Sequence, residues 1–133
     1  MLTLEEAKKI AAAARAEAEK NKWNVVIAIL DDGGHLMYLE RMDGTQKASS
    51  KIAEEKGRTA ILFKRPTKAI EDAVMGGRMV LMALPGALPL EGGLPLVKDG
   101  CYVGAIGVSG VQSHEDGMIA AAGTRCFGET GAS

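Results

Sequence analysis

The sequence predicts an α+β domain in which helical layers lie on both sides of an antiparallel sheet. Three observations carry that expectation. Leu94 to Lys98 and Cys101 to Ser109 read as strands joined by Asp99-Gly100, because a two-residue Asp-Gly loop tolerates the positive φ of a type I′ hairpin turn. The run NVVIAIL at 24–30 is broken by Asp31-Asp32-Gly33-Gly34 and resumes in extended style from His35 to Arg41, which makes a second hairpin. Helical patterns flank both hairpins without alternating with single strands, so a parallel doubly wound sheet is the weaker alternative.

Taken in order, Thr3 and Glu6 form the T-x-x-E pattern of a capping box, and Leu4, Ala7, Ile10, Ala11, Ala14 and Ala18 follow at helical spacing, so a first helix runs to about Lys22. In HLMYLER, Leu36, Tyr38 and Glu40 face one way and Met37, Leu39 and Arg41 the other. A second helix spans Lys47 to Phe63 and ends at Pro66, and Thr67 is placed to cap a further helical segment through Ile70 and Val74. The text MVLMALPGALPLEGG, rich in Pro and Gly, reads as an apolar lining loop with a short strand near Leu88 to Leu90. CYVGAIGV is apolar on both faces and belongs in the middle of a covered sheet, with Gly104 and Gly107 admitting a close neighbour. Ser113, with Asp116 three positions on, is placed to cap a last helix ending near Phe127, beyond which residues from Gly128 read as frayed.

A chain of 133 residues is the length of one domain, 1–133. With 47% hydrophobic but only 4% aromatic residues its core is aliphatic, and a net charge of −1 supplies no basic field for nucleic acid. MLTLEEAKK is unlike a signal peptide and no stretch reaches membrane-spanning length, so a cytoplasmic protein without membrane contact is the expectation. Cys101 and Cys126 have no metal-ligand or disulfide-scaffold spacing and read as reduced core thiols.

Among the motifs, Gly107-Val-Ser109-Gly110-Val111 lacks the final glycine of a nucleophile elbow, which leaves Ser109 to cap or to meet a ligand. The glycines of the last strand do not make a dinucleotide fingerprint. His35 and His114 have no partner at metal spacing, so no metal site is expected. Arg41 beside Asp43 and Gly44 can form a fixed fork for a carboxylate, or simply a surface ion pair. Lys56, on the apolar side of its helix with Thr59, is desolvated and therefore either paired with an acid or chemically useful. Glu91, Gly92 and Gly93 bring a carboxylate and open backbone to a pocket mouth.

RMDG at 41–44, Lys56 with Thr59-Ala60, GGLP at 92–95 and VGAIGVSG at 103–110 together resemble the GlcG/HbpS-like family over nearly the whole chain. The resemblance implies a profilin-like three-layer domain with a five-stranded antiparallel sheet, assembly into homo-oligomers, and haem or a corrinoid as the cofactor to look for. The first helix holds no histidine, so no axial ligand is carried over to a numbered residue. The function expected is a cytoplasmic small-molecule-binding protein for haem or another tetrapyrrole, using the Met79 to Leu94 loop with Arg41, Lys56 and Glu91. The axial candidates are Met79, Met82 and Cys101, with His35 and His114 set outside the pocket. Two other classes stay open: a lyase or isomerase acting on a small organic acid, and a structural accessory protein.

Overall fold

A computed structural model describes residues 1–128. Helix α1 (Leu4–Lys20) is followed by strands β1 (Val26–Asp31) and β2 (Leu36–Arg41), helices α2 (Ser49–Phe63) and α3 (Thr67–Met75), a short 3-10 helix (Met79–Ala83), strands β3 (Gly93–Lys98) and β4 (Cys101–Ser109), and helix α4 (Ser113–Gly128).

The strands form one antiparallel sheet in the order β2-β1-β4-β3. Among the described residues four strands stand where the family resemblance implied five, since the Pro/Gly-rich stretch before β3 adds no ladder. Within it Leu90 N–H turns back onto the Leu88 carbonyl at 2.9 Å, so the expected strand at 88–90 does not form. Both hairpins close as the turn chemistry requires, with Asp99 at φ 52° and Gly100 at φ 78°.

Alternation along β1 sets the layers. Val25, Ile27 and Ile29 pack with Ala7, Ile10, Ala11, Ala14 and Ala18 of α1 and with Ile119 and Ala120 of α4. Val26, Ala28 and Leu30 face the other way onto Ala53 of α2. Helix α2 lies so close to β4 that a Cβ at Gly107 would collide with the Ala53 carbonyl, which is why the buried strand carries glycine there.

Local capping is as expected at one helix and different at two. The Glu6 N–H donates to Thr3 Oγ1 at 3.1 Å and Thr3 N–H donates to Glu6 Oε1 at 2.9 Å, a complete capping box. Thr67 does not cap α3; its hydroxyl accepts the Gly93 N–H at 2.9 Å instead. At α4 it is Gln112 N–H that meets Glu115 Oε1, at 3.1 Å, because the Asp116 carboxylate is drawn away to Lys56. Cys101 and Cys126 are exposed free thiols rather than core residues: β4 projects past its helical cover at the hairpin end, and Cys126 lies on the outer side of α4.

Candidate functional site

Lys56 is buried to 1% exposure, and its Nζ donates to Asp116 Oδ2 and to the Val108 carbonyl, each at 3.0 Å. The pair ties α2 to the start of α4 around the end of β4. Asp116 completes its set by accepting the Val111 N–H on Oδ1 at 3.1 Å. Burial pushes the Asp116 carboxyl above the usual carboxylate range, while the Lys56 ammonium pulls the other way. Of the two fates open to a desolvated lysine, the structure gives Lys56 the paired one.

The segment leading into β3 is laid over this pair and held by its backbone. Thr59 Oγ1 accepts the Leu88 N–H at 2.9 Å and donates to the Glu55 carbonyl at 2.8 Å, with the Gly86 carbonyl at 3.2 Å. Glu71 Oε1 accepts the Glu91 N–H at 2.8 Å. Gly92, at φ 133°, passes so near that a Cβ would stand 2.8 Å from Lys56 Nζ and 2.6 Å from the Val108 carbonyl. Lys56, Thr59, Gly92 and Gly93 thus form one buried polar seam, with Glu91 at its rim. Ser109 lies at the end of β4, where its hydroxyl donates to Ser49 Oγ at 3.0 Å, a link between strand and helix.

The 3-10 helix that leads into this segment presents apolar side chains outward. Met79, Val80 and Met82 are 61%, 67% and 57% exposed, and Met75, Leu84 and Leu90 extend the same ledge. Between it and α2 lies an open cleft of about 310 Å³ lined by Lys51, Ile52, Glu55, Gly86, Ala87 and Leu88.

Arg41 and Asp43 stand elsewhere. They line a polar cleft of about 760 Å³ between the C-terminal half of α1 and the end of β2, with Trp23, Asn24 and Tyr38. There Arg15 pairs with Glu40 at 2.9 Å, and Tyr38 O–H donates to the same carboxylate at 3.0 Å, which holds the phenol above its ordinary range. Within the single chain, therefore, Arg41 and Lys56 do not share a pocket. Asp116 is the member of the polar seam that the sequence concealed, since its spacing from Ser113 imitates a capping box.

Among the described residues no three His, Cys, Asp or Glu side chains gather as a metal site, and no helix is long and apolar enough to cross a membrane. Met79 and Met82 lie on the ledge, whereas Cys101 lies at the far end of the sheet beside the β3–β4 turn. His35 stands at the β1–β2 corner, 3.3 Å from Asp31.

Comparison with known proteins places this geometry. The chain is 47% identical over 109 residues to protein GlcG of Escherichia coli strain K12, covering 82% of this chain and 81% of that one. A crystal structure of a double mutant of Streptomyces reticuli HbpS matches with a TM-score of 0.88 at 35% identity, over 96% of this chain and 87% of the other. A crystal structure described as a PduOC:heme complex matches with a TM-score of 0.87 at 25% identity, over 99% and 96%. The family model described as haem degrading protein HbpS-like matches residues 2–125, and the chain belongs to that HbpS-like family.

Proposed function

We propose that this protein binds haem or a closely related tetrapyrrole on the Met79–Leu90 ledge, and that it works as a homo-oligomer. The observation that carries the reading is the ledge itself: a run of exposed apolar side chains at Met79, Val80, Met82 and Leu84 that leads into a backbone pinned at Leu88, Glu91 and Gly93 by Thr59, Glu71 and Thr67. A flat macrocycle covering such a surface gains roughly 25 cal/mol per Å² of apolar area removed from water. The thioethers of Met79 and Met82 fit a porphyrin as soft neighbours, while the open shape fits a seat completed by a second copy better than an enclosed slot. Bound there, a haem would supply redox and ligand-exchange chemistry, and the chain's own part is to hold it and shield it from water. The haem-complexed relative and the family description support the same assignment. A cytoplasmic setting belongs to the proposal and accords with two exposed free thiols.

Haemin titration followed at the Soret band tests the reading, with sedimentation of the same samples. A saturable shift that Val80→Glu with Met82→Glu abolishes is the expected result. Absence of a saturable shift overturns it and favours the small-acid alternative, for which the Arg41 cleft is the place to look.

A further inference from the structure

The polar cleft at the end of β2 is lined by charges that the fold leaves unpaired. Backbone bonds fix its walls. Trp23 N–H donates to the Ala18 carbonyl at 2.9 Å and closes α1 through Lys22, which stands in the left-handed region at φ 60°. Glycine is the ordinary residue in that conformation, so the lysine places a cation at the cleft against some backbone strain. Opposite, Met42 N–H donates to the Val25 carbonyl at 3.0 Å and Thr45 Oγ1 to the Met42 carbonyl at 2.7 Å, which holds the turn carrying Arg41 and Asp43. Trp23 and Tyr38, each half-buried, pack against the core and bring aromatic surface to the cleft. Arg15 and Glu40 are committed to each other, and Glu40 also to Tyr38. The side chains of Glu19, Lys22, Arg41 and Asp43 line the same cleft, are exposed, and make no hydrogen bond or ion pair among the described residues.

Each wall thus offers one free cation and one free carboxylate, Lys22 with Glu19 at the end of α1 and Arg41 with Asp43 at the end of β2. With the closed Arg15–Glu40 pair set aside, the lining is electrically balanced. An anion alone or a cation alone would leave the opposite charges without a partner, whereas a ligand carrying both signs on a short body matches them. The geometry points to a binding site for a small zwitterion of the free amino-acid class, its carboxylate on Arg41 and Lys22, its ammonium on Asp43 and Glu19, and its side chain against Trp23. A guanidinium suits the carboxylate because its planar donors meet both oxygens, and the indole face adds apolar contact. The site lies apart from the ledge and does not draw on tetrapyrrole binding.

Trp23 is the chain's one tryptophan, so its fluorescence and its indole N–H signal in a proton–nitrogen correlation spectrum report on this cleft. The experiment titrates the full chain with the standard free amino acids. The tightest binder is then compared with its carboxylate-only and amine-only counterparts, which for phenylalanine are 3-phenylpropionate and 2-phenylethylamine. The expected result is a saturable shift of the Trp23 signal, at least about tenfold weaker binding of either counterpart, and a similar loss in Arg41→Ala and in Asp43→Asn. Both side chains are exposed, so the variants keep the fold, which far-UV circular dichroism verifies. Saturation by none of the amino acids overturns the proposal. So does a counterpart that binds as tightly as its parent, or a parent whose Kd is unchanged in both variants. Haemin is titrated separately at the Soret band, so failure of the ledge reading leaves this result standing, and the reverse holds.

Discussion

Replacing Lys56 with methionine keeps the length and apolar body of the side chain and deletes its charge, which isolates the buried pair. At 3.0 Å the two charges attract by about 5–6 kcal/mol for an effective dielectric near 20. Most of that gain only offsets the desolvation of two ions, so the pair's net worth is small. Its one-sided loss is not small: Asp116 stays buried with a single backbone donor from Val111, and the Val108 carbonyl loses its partner. The expected cost is about 3–5 kcal/mol, a fall in Tm of roughly 10–15 °C for a chain of this length. Guanidinium or thermal unfolding of Lys56→Met, Asp116→Asn and the double variant supplies the assay, because the cycle separates coupling from orphaning. In Lys56→Met the Asp116 carboxyl titrates higher still. A raised folded value adds stability below the unfolded value that is lost as pH rises through the folded one. The deficit therefore narrows in acid and is widest at neutral pH. A loss under about 1 kcal/mol, or additive single changes, would refute the strut role assigned to this pair.

Glu6→Gln keeps a capping-box acceptor for the Thr3 N–H but removes the carboxylate charge and its ion pair with Lys98. The hydrogen bond from Lys98, then that from the Thr3 backbone, hold the Glu6 carboxyl at about 2, below its ordinary 4.5. The stability this gives is present above 4.5 and drains as pH falls toward 2, so the variant loses about 1 kcal/mol at neutral pH and shows a flatter acid limb in urea melts. Thr59→Val leaves the Leu88 N–H without its acceptor, at a cost of about 1–2 kcal/mol, and hydrogen exchange should show that amide opening faster while β1 amides keep their protection. Gly107→Ala drives a methyl into the α2 backbone and should cost at least about 3 kcal/mol, read as loss of soluble expression or a sharply lowered Tm. Val80→Glu with Met82→Glu should shift sedimentation toward a single chain without lowering its helix content.

Elements whose signal is local were legible in the sequence, and those that depend on distant partners were not. Asp99-Gly100 declares its turn through two adjacent residues that accept positive φ, and Thr3 with Glu6 declares a helix start within one turn. Lys56 was legible as desolvated because Gly57, Thr59 and Ala60 share its buried side. Its partner was hidden 60 positions away. Thr67 looked like a cap for the same reason, since the Gly93 backbone that claims its hydroxyl lies 26 residues on. The segment at 84–92 offered no period to read, because side chains of α2 and α3 rather than its own pattern fix its path. Cys101 read as buried because apolar alternation does not say where helical cover ends. Of the candidate site, Lys56, Thr59, Gly92, Gly93 and Glu91 were named from the sequence and are brought together, whereas Arg41 and Asp43 fall at a different cleft.

The most direct measurement is native mass spectrometry of the protein isolated from its own host, alongside the Val80→Glu, Met82→Glu variant prepared in the same way. Tetrapyrrole binding on the ledge requires an assembly of several chains that carries a bound mass matching a porphyrin-type macrocycle, with both the ligand and the assembly lost in the variant. A bare single chain, or a wild-type and variant pair carrying the same ligand, would contradict it.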